Sequence, residues 1–413
     1  MKAFGMENVR GGYAWVWLPG QASPVPAGEV VKDGPVHRFA YEPEYRQRPD
    51  AIALSPFELP LQAGVFEPSG VSVMHSCLRD AGPDAWGRRV INYRYADFAM
   101  DELDYLLLAA SDRIGALDFQ VSPTEYVPRE TGDPDLEDLL HASQWVERGE
   151  PLPLELQDAL LPGTGVGGAR PKALFNGDGN WYIAKFCSVT DRFDLTKAEY
   201  VTMRLARLAG IDAARVTLVE NMGHGVLLVE RFDRRLNRDG AVTRRLMLSG
   251  LSLLGLSIAD ARFARYADLA EVIRQRFENP RDTLEELYKR LAFNVLVGNT
   301  DDHARNYAAF WDGGCLTLTP AYDICPHLRM TDVVTQAMMI DGVEGDHSTL
   351  KNVLSVCDRF EVSREHARSL INDMIGTIKS HWKEVCEEAD LLPDERDMLW
   401  EHAILNPFCL KDW

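Results

Sequence analysis

The sequence predicts an α+β fold in two lobes, with a β-rich first part and a large helical last part. Three observations carry that expectation. Up to about residue 70, aromatic and β-branched runs are cut at short intervals by Pro and Gly, as strand–turn–strand segments require. Two further pairs of apolar runs, 174–186 and 216–231, each close around a cluster of Gly and Asn. From about residue 245, leucine-rich helical spacing takes over and runs to Trp413, broken only near residues 298–328.

The elements follow in order. Tyr13-Ala-Trp15-Val-Trp17-Leu reads as an aromatic strand ended by Pro19-Gly20. Pro83-Asp84 opens a helix carrying Trp86, Val90, Ile91 and Tyr93, and Asp101 to Ser111 is a second, leucine-rich helix. Arg113 to Phe119 reads as a turn into a strand. Residues 123–135, with Pro123, Pro128, Gly132 and Pro134 among charges, read as a linker. Leu136, Leu139, Leu140, Ser143 and Val146 then lie at helical spacing. Leu174-Phe175 and Trp181 to Phe186 flank Asn176-Gly-Asp-Gly-Asn180, a hairpin signal. Lys197 to Ala209 is a helix stopped by Gly210, and a second hairpin is expected around Asn221-Met-Gly-His-Gly225. Three segments result: 1–125 (β-rich), 126–235 (a small β lobe with one helix) and 236–413 (helical).

The 413 residues carry a net charge of −19, which argues against unaided binding to nucleic acid or an anionic membrane. Seven cysteines form no C-x-x-C pair and read as thiols of a reducing compartment. The stretch Met1 to Gly12 lacks an apolar signal core, and the longest apolar run, Leu251 to Ala259, is far short of the ~20 residues a membrane span needs. A cytoplasmic protein without membrane contact is expected.

Phosphoryl transfer needs glycines over the phosphates, a lysine on them, oxygen ligands for a metal and a base for the acceptor hydroxyl. Candidates occur in that order. Gly165-Val-Gly-Gly-Ala-Arg-Pro-Lys172 would let backbone N–H groups approach phosphate, although it is no Walker A motif and a plain glycine turn is its bland reading. Lys185 stands in an apolar strand and needs an anionic partner; phosphates or Glu199 of the next helix would serve, against an exposed edge-strand lysine. Val229-Glu230-Arg231-Phe232-Asp233 falls where a hinge between lobes would offer backbone to adenine, or is a strand end with an ion pair. Asp301 and Asn306 have the D-x-x-x-x-N spacing of a kinase catalytic loop, with Asp302 a rival for the base and His303 a phosphate contact or a turn cap. Asp323, seventeen residues after Asn306, ends an apolar strand where a metal-binding aspartate is expected; capping a turn is the alternative.

Val166-Gly-Gly-Ala-Arg-Pro-Lys172, Glu230-Arg-Phe-Asp-Arg234, Asn299-Thr-Asp-Asp-His-Ala-Arg-Asn306 and Pro320-Ala-Tyr-Asp323 resemble the motifs of the HipA serine/threonine kinases, toxins of type II toxin–antitoxin systems. Arg79-Asp-Ala-Gly-Pro-Asp-Ala-Trp-Gly87 and Asp112-Arg-Ile-Gly-Ala-Leu117 are similar to that family's N-terminal subdomain. The resemblance implies a bilobal protein-kinase-like fold with a β-rich N-terminal subdomain and a large all-α C-lobe, using ATP and magnesium. It places Gly167, Gly168, Ala169, Arg170, Pro171 and Lys172 over the phosphates and Lys185 on them. Glu230, Arg231 and Phe232 would form the adenine hinge and Asp301 the catalytic residue. His303, Ala304, Arg305, Asn306, Tyr322 and Asp323 would complete the nucleotide site, with Asn306 and Asp323 on the metal. It further implies a protein substrate, for which an aminoacyl-tRNA synthetase is the family's example, and a small helix-turn-helix antitoxin through which alone DNA is reached. One departure is visible: the family's autophosphorylated serine is Gly165 here, preceded by Thr164, so Thr164 takes over as acceptor or that brake is missing. Two rival readings remain, an inactive kinase-fold scaffold or corepressor and a small-molecule kinase.

Overall fold

The computed structural model describes residues 11–95, 99–129, 134–148, 160–165, 168–177, 179–188, 191, 193–238, 240–329, 331 and 333–413. They fall into two compact units. The first takes the chain up to residue 190, residues 221–248 and residues 310–314; the second takes 191–220, 249–309 and 315–413.

In the first unit β1 (Gly11–Val16), β2 (Val25–Asp33), β3 (Val36–Tyr41) and β4 (Leu117–Gln120) form an antiparallel sheet in the order β3-β2-β1-β4. The aromatic run expected as a strand is β1 and its continuation, and both Trp15 and Trp17 are buried. Part of their cover comes from the expected linker: the Tyr126 ring lies 5.4 Å from Trp15 and 5.5 Å from Trp17. Tyr126 also donates to Asp118, as does Arg129, so residues 123–129 are packed down rather than a free tether.

Between β3 and β4 run the short helices α1 (Pro43–Arg46), α2 (Ser76–Arg79), α3 (Ala85–Arg94) and α4 (Glu102–Leu108). Asp101 opens α4 through a reciprocal capping box with Asp104, which satisfies first-turn donors. The amphipathic segment is α5 (Leu136–Arg148), with Leu139, Leu140, Ser143 and Val146 buried as their spacing requires.

The hairpin around Asn176–Asn180 forms as expected, with β5 (Lys172–Gly177) antiparallel to β6 (Asn180–Phe186). The later apolar runs are also strands, β7 (Val216–Asn221) and β8 (His224–Glu230), and β8 lies antiparallel to β6 on its other side. A small ladder joins β9 (Arg234–Leu236) to β10 (Val242–Arg244).

The second unit holds α6 (Leu195–Leu208), α7 (Gly250–Leu253), α8 (Tyr266–Arg276), α9 (Pro280–Leu296), α10 (Leu350–Ser355), α11 (Arg364–Glu388) and α12 (Pro393–His402). Asp194 caps α6 by accepting the N–H groups of Thr196 and Lys197, and Gly210 past its end takes φ +76°, the left-handed stop that glycine allows. From Arg290 to Leu296 every residue of α9 is buried, so the helix is central rather than amphipathic there.

The expected all-α character beyond residue 236 is corrected. Strands occur at Val242–Arg244, Leu246–Ser249, Ala308–Trp311 and Leu316–Leu318. Ala308–Trp311 is buried at all four positions and bounded by Asn306 and by Asp312-Gly-Gly. Such a run is too short to present a helical face, and turn residues close both ends. All seven cysteines are thiols. Among the described residues no helix is long and apolar enough to cross a membrane.

Candidate functional site

In the first unit the glycine-rich turn leads into β5. Gly167 lies outside the described residues. Gly168 has φ +113°, and a Cβ there would collide with the Lys172 ammonium, so only glycine suits the turn. Ala169 and Arg170 are exposed and Pro171 is buried. Pro171 accepts the Phe186 N–H through its carbonyl, which ties the turn to β6.

The hairpin register sets Lys172 directly opposite Lys185. Residues opposite one another in an antiparallel pair share a sheet face, and like charges so placed repel. Lys172 is almost fully buried, which raises that cost. The register thus gathers two lysines at the start of β5 and the end of β6, where a polyphosphate would find cationic partners.

At the end of β8, Glu230 pairs with Tyr182 in the ladder and the Arg231 N–H donates to the Trp181 carbonyl. Phe232 meets the edge of Phe310 with centroids 5.9 Å apart. The Arg231 side chain is committed elsewhere: it pairs with Asp112 at 3.0 Å and Asp233 at 2.9 Å, and donates to the Arg113 carbonyl. Such an ion pair is the alternative named for this strand end, and the hinge reading asks only for main chain here. Arg234 joins the same cluster through Asp112 and Asp233, and Asp233 also accepts the Gly115 N–H. Burial alone would raise the Asp112 carboxyl; the guanidinium groups of Arg231, Arg234 and Arg244 instead hold it well below the usual carboxylate range.

Thr164 is fully buried, and its hydroxyl accepts the Ala110 N–H at 3.1 Å. As an acceptor of phosphate it would first have to leave this site.

In the second unit the catalytic-loop candidates follow α9. Gly298 turns the chain at φ +70°, and a Cβ there would sit 2.8 Å from the Ala403 carbonyl oxygen. Asn299, almost fully buried, donates to Asn294 at 3.0 Å and towards the Asp323 carbonyl at 3.5 Å. Asp301 is exposed. Its neighbour Asp302 is buried, and its carboxylate accepts from the Tyr266 and Tyr307 hydroxyls, the latter at 2.8 Å. Burial pushes Asp302 up to about 6, against the two tyrosines, the charge of His303 and the Asn294 amide, which pull it down. The two adjacent aspartates are thus separated: one faces solvent and the other is held in the core.

The loop backbone is clamped by the segment that follows Asp323. Ala337 and Met338 donate to the Thr300 and Asp302 carbonyls, and Gln336 Nε2 donates to that of Asn299. Ala304 is buried and begins a short 3-10 turn that ends at Asn306. The buried Asn306 amide donates towards the Asp301 carbonyl at 3.4 Å, and the Tyr322 hydroxyl donates to that of Arg305 at 2.9 Å. The structure therefore brings residues 299–306 and 322–323 together. Asp323 has φ +60°, a conformation that costs an ordinary residue ~1 kcal/mol or more and tends to mark functional sites.

The donor set suits a nucleotide with magnesium. His303 Nδ1 is buried without a hydrogen-bond partner among the described residues. No group of three or more His, Cys, Asp and Glu side chains is gathered for a metal among those residues. Magnesium that arrives with phosphates and keeps its waters needs only one or two protein oxygens, which Asp323 and Asn306 would supply. Sequence reasoning gave no role to Asn299, Asn294, Tyr266, Tyr307 or Gln336. Only Asn299 stood inside a quoted motif; Asn294 and Tyr307 flank it within a few residues but read as parts of apolar segments, and Tyr266 and Gln336 lie some thirty residues away with no local signal.

Residues 16–120 match the family described as HipA N-terminal domain, and residues 164–382 match the HipA-like C-terminal domain. The serine/threonine-protein kinase toxin HipA of Shewanella oneidensis is 28% identical over 213 residues, 46% of this chain and 49% of the relative. The chain thus spans about half the length of that curated relative. A solved structure from the same organism, of the toxin–antitoxin system HipA, HipB and operator DNA, matches with a TM-score of 0.69 at 22% identity. That match covers 94% of each chain and shows a shared fold.

Proposed function

Because the chain belongs to the HipA family, we propose that it is an ATP- and magnesium-dependent serine/threonine protein kinase of the toxin type. The observation that carries this reading is the pair Asp301 and Asp302, one exposed and one locked in the core, on a loop bonded to the backbone of Asp323.

In this reading Asp301 accepts the proton of the attacking hydroxyl. The hydroxyl oxygen bonds to the γ-phosphorus, the bond from that phosphorus to the bridging β,γ oxygen breaks, and ADP leaves. Lys172, Lys185 and the turn of residues 167–172 hold the phosphates, although the Gly168 N–H is engaged by Asp84 and Pro171 has none to give, and Arg170 is exposed in that turn. The main chain of Glu230 to Phe232 faces adenine. His303, Ala304 and Arg305 border the phosphates with Tyr322, while Asn306 and Asp323 would hold magnesium, which would supply charge neutralisation at the phosphates. Most of the rate gain comes from positioning and charge neutralisation.

The acceptor is a cellular protein, with a translation component such as an aminoacyl-tRNA synthetase as first candidate. A small helix-turn-helix partner of the HipB kind follows from the same reading, supported by the content of the Shewanella complex. The net charge of −19 agrees with DNA being reached only through that partner, and the seven thiols with a cytoplasmic site of action.

The test is transfer from γ-labelled ATP with magnesium in a host lysate, wild type beside Asp301→Asn. A labelled protein band seen only with wild type is expected. Equal labelling by both removes Asp301 from the base role, and ATP binding without any labelled band turns the reading to a scaffold.

A further inference from the structure

The motif Arg79 to Gly87 takes no part in the chemistry assigned above. In the structure it opens α3. An N-cap aspartate ordinarily turns its carboxylate back onto an N–H of its own helix. Asp84, the N-cap of α3, makes no such bond. Its Oδ2 accepts the Gly168 N–H at 2.8 Å. In return the Trp86 N–H, a first-turn donor with no partner inside the helix, donates to the Gly168 carbonyl at 3.2 Å. The indole Nε1 of fully buried Trp86 donates to the Lys172 carbonyl at 2.8 Å. Gly87 lies so close to the turn that a Cβ on it would sit 2.4 Å from the Thr164 carbonyl oxygen.

We propose that Asp84 and Trp86 are positioning residues for the phosphate-facing glycine turn, because the first turn of α3 and Gly168 cap one another. A glycine at φ +113° has neither a side chain nor a regular ladder to hold it, so its peptide groups need outside partners. Asp84 and Trp86 supply one on each side. The turn runs straight into Lys172, whose own carbonyl is held by Trp86, so the start of α3 sets the turn amides and the lysine together. Residues 83–87 are thereby part of the phosphate-binding apparatus, although they lie some eighty residues upstream of it.

This inference rests on the nucleotide reading above. Calorimetric titration with MgATP and with adenosine, on wild type, Asp84→Ala and Asp84→Asn, tests it beside thermal melts of each. Asp84→Ala is expected to weaken MgATP binding about tenfold or more and to leave adenosine, which has no phosphates, unchanged. Asp84→Asn keeps an accepting oxygen and should stay within about threefold of wild type. Trp86→Phe, which keeps most of the bulk and drops one donor, should give the same split between the two ligands if Asp84→Ala does not fold. Unchanged MgATP affinity in Asp84→Ala overturns this inference alone. Parallel loss of both ligands with a lowered melt makes the contact merely structural and also overturns it. Tighter MgATP binding in both Asp84 variants would make the carboxylate a rival of phosphate and overturn it too. Wild type that binds no MgATP overturns the nucleotide reading, and this inference with it.

Discussion

Asp302→Asn should make the protein more stable at neutral pH while impairing phosphoryl transfer. The carboxyl of Asp302 is raised from its ordinary 3.8 to about 6, with burial as the first cause. At ~1.4 kcal/mol per unit, keeping it ionised costs about 3 kcal/mol above pH ~6. The folded value lies above the unfolded one, so the folded chain binds the proton more tightly. Stability therefore falls as pH rises from about 4 to 6, and the penalty is absent below the unfolded value. Asparagine removes the charge and keeps an oxygen for Tyr266 and Tyr307. Its new N–H groups have no obvious acceptor and offset ~1–2 kcal/mol, leaving a net gain of about 1–2 kcal/mol at pH 8. Near pH 5 roughly half of the penalty has gone, so the gain should shrink by ~1 kcal/mol or more. The groups facing this carboxylate are Tyr266, Tyr307, His303 and the Asn294 amide, with Arg290 acting on Tyr307. Urea unfolding of both proteins at pH 8 and pH 5 gives the comparison. A variant less stable than wild type at pH 8, or an offset equal at both pH values, would refute the reasoning. If the gain appears and turnover falls together, the buried charge is retained for function at the expense of stability.

Two other outcomes are expected. Asp323→Gly and Asp323→Ala should both abolish magnesium-dependent transfer, but the glycine variant should be more stable than the alanine one by ~1 kcal/mol, because φ +60° strains alanine and not glycine; paired melts decide, and equal stability would discount the strain. Phosphosite mapping after incubation with MgATP should find Thr164 unmodified, since its hydroxyl is buried against the Ala110 N–H; stoichiometric phosphate on Thr164 would show that residues 160–165 leave that site during turnover.

Much of the fold was legible because its signals are local. Leu136–Arg148 forms over the residues whose spacing marks it, and β5 and β6 close around Asn176–Asn180 as the turn residues dictate. Gly210 stops α6 as expected, whereas the helix begins at Leu195, two residues before the expected Lys197, because Asp194 caps it there. Within the site, the facing of Lys172 and Lys185 follows by counting outward from that turn, although each was first singled out alone. The choice between Asp301 and Asp302 rested on spacing, and nothing in two adjacent identical residues says which is buried. That depends on Tyr266, thirty-six positions upstream, and on Tyr307. Arg231 shows the same limit: an ion pair at this strand end was one of its two readings, but its burial and its partner Asp112, over a hundred residues away, carry no local signal.

The pairing of distant motifs explains why the first 125 residues resist treatment as a tethered accessory. Arg231 and Arg234 are almost fully buried, and their charges are met by Asp233 beside them and by Asp112 from the segment before β4. Their donors also satisfy the Arg113 and Gly115 carbonyls. An ion cluster of this kind gives little net stability when complete, but losing one partner leaves a desolvated charge whose penalty is ~3–5 kcal/mol. The segment carrying Asp112 to Gly115 therefore cannot move away from Glu230–Arg234 without exposing or orphaning these guanidinium groups. The second tie, between the start of α3 and Gly168, reaches the same β lobe from a helix some thirty residues earlier. With the ion cluster at the end of β8 and the cap at the start of β5, the strands that carry Lys172 and Lys185 are braced at both ends by residues of the N-terminal segment, and that segment is part of what shapes the candidate phosphate site.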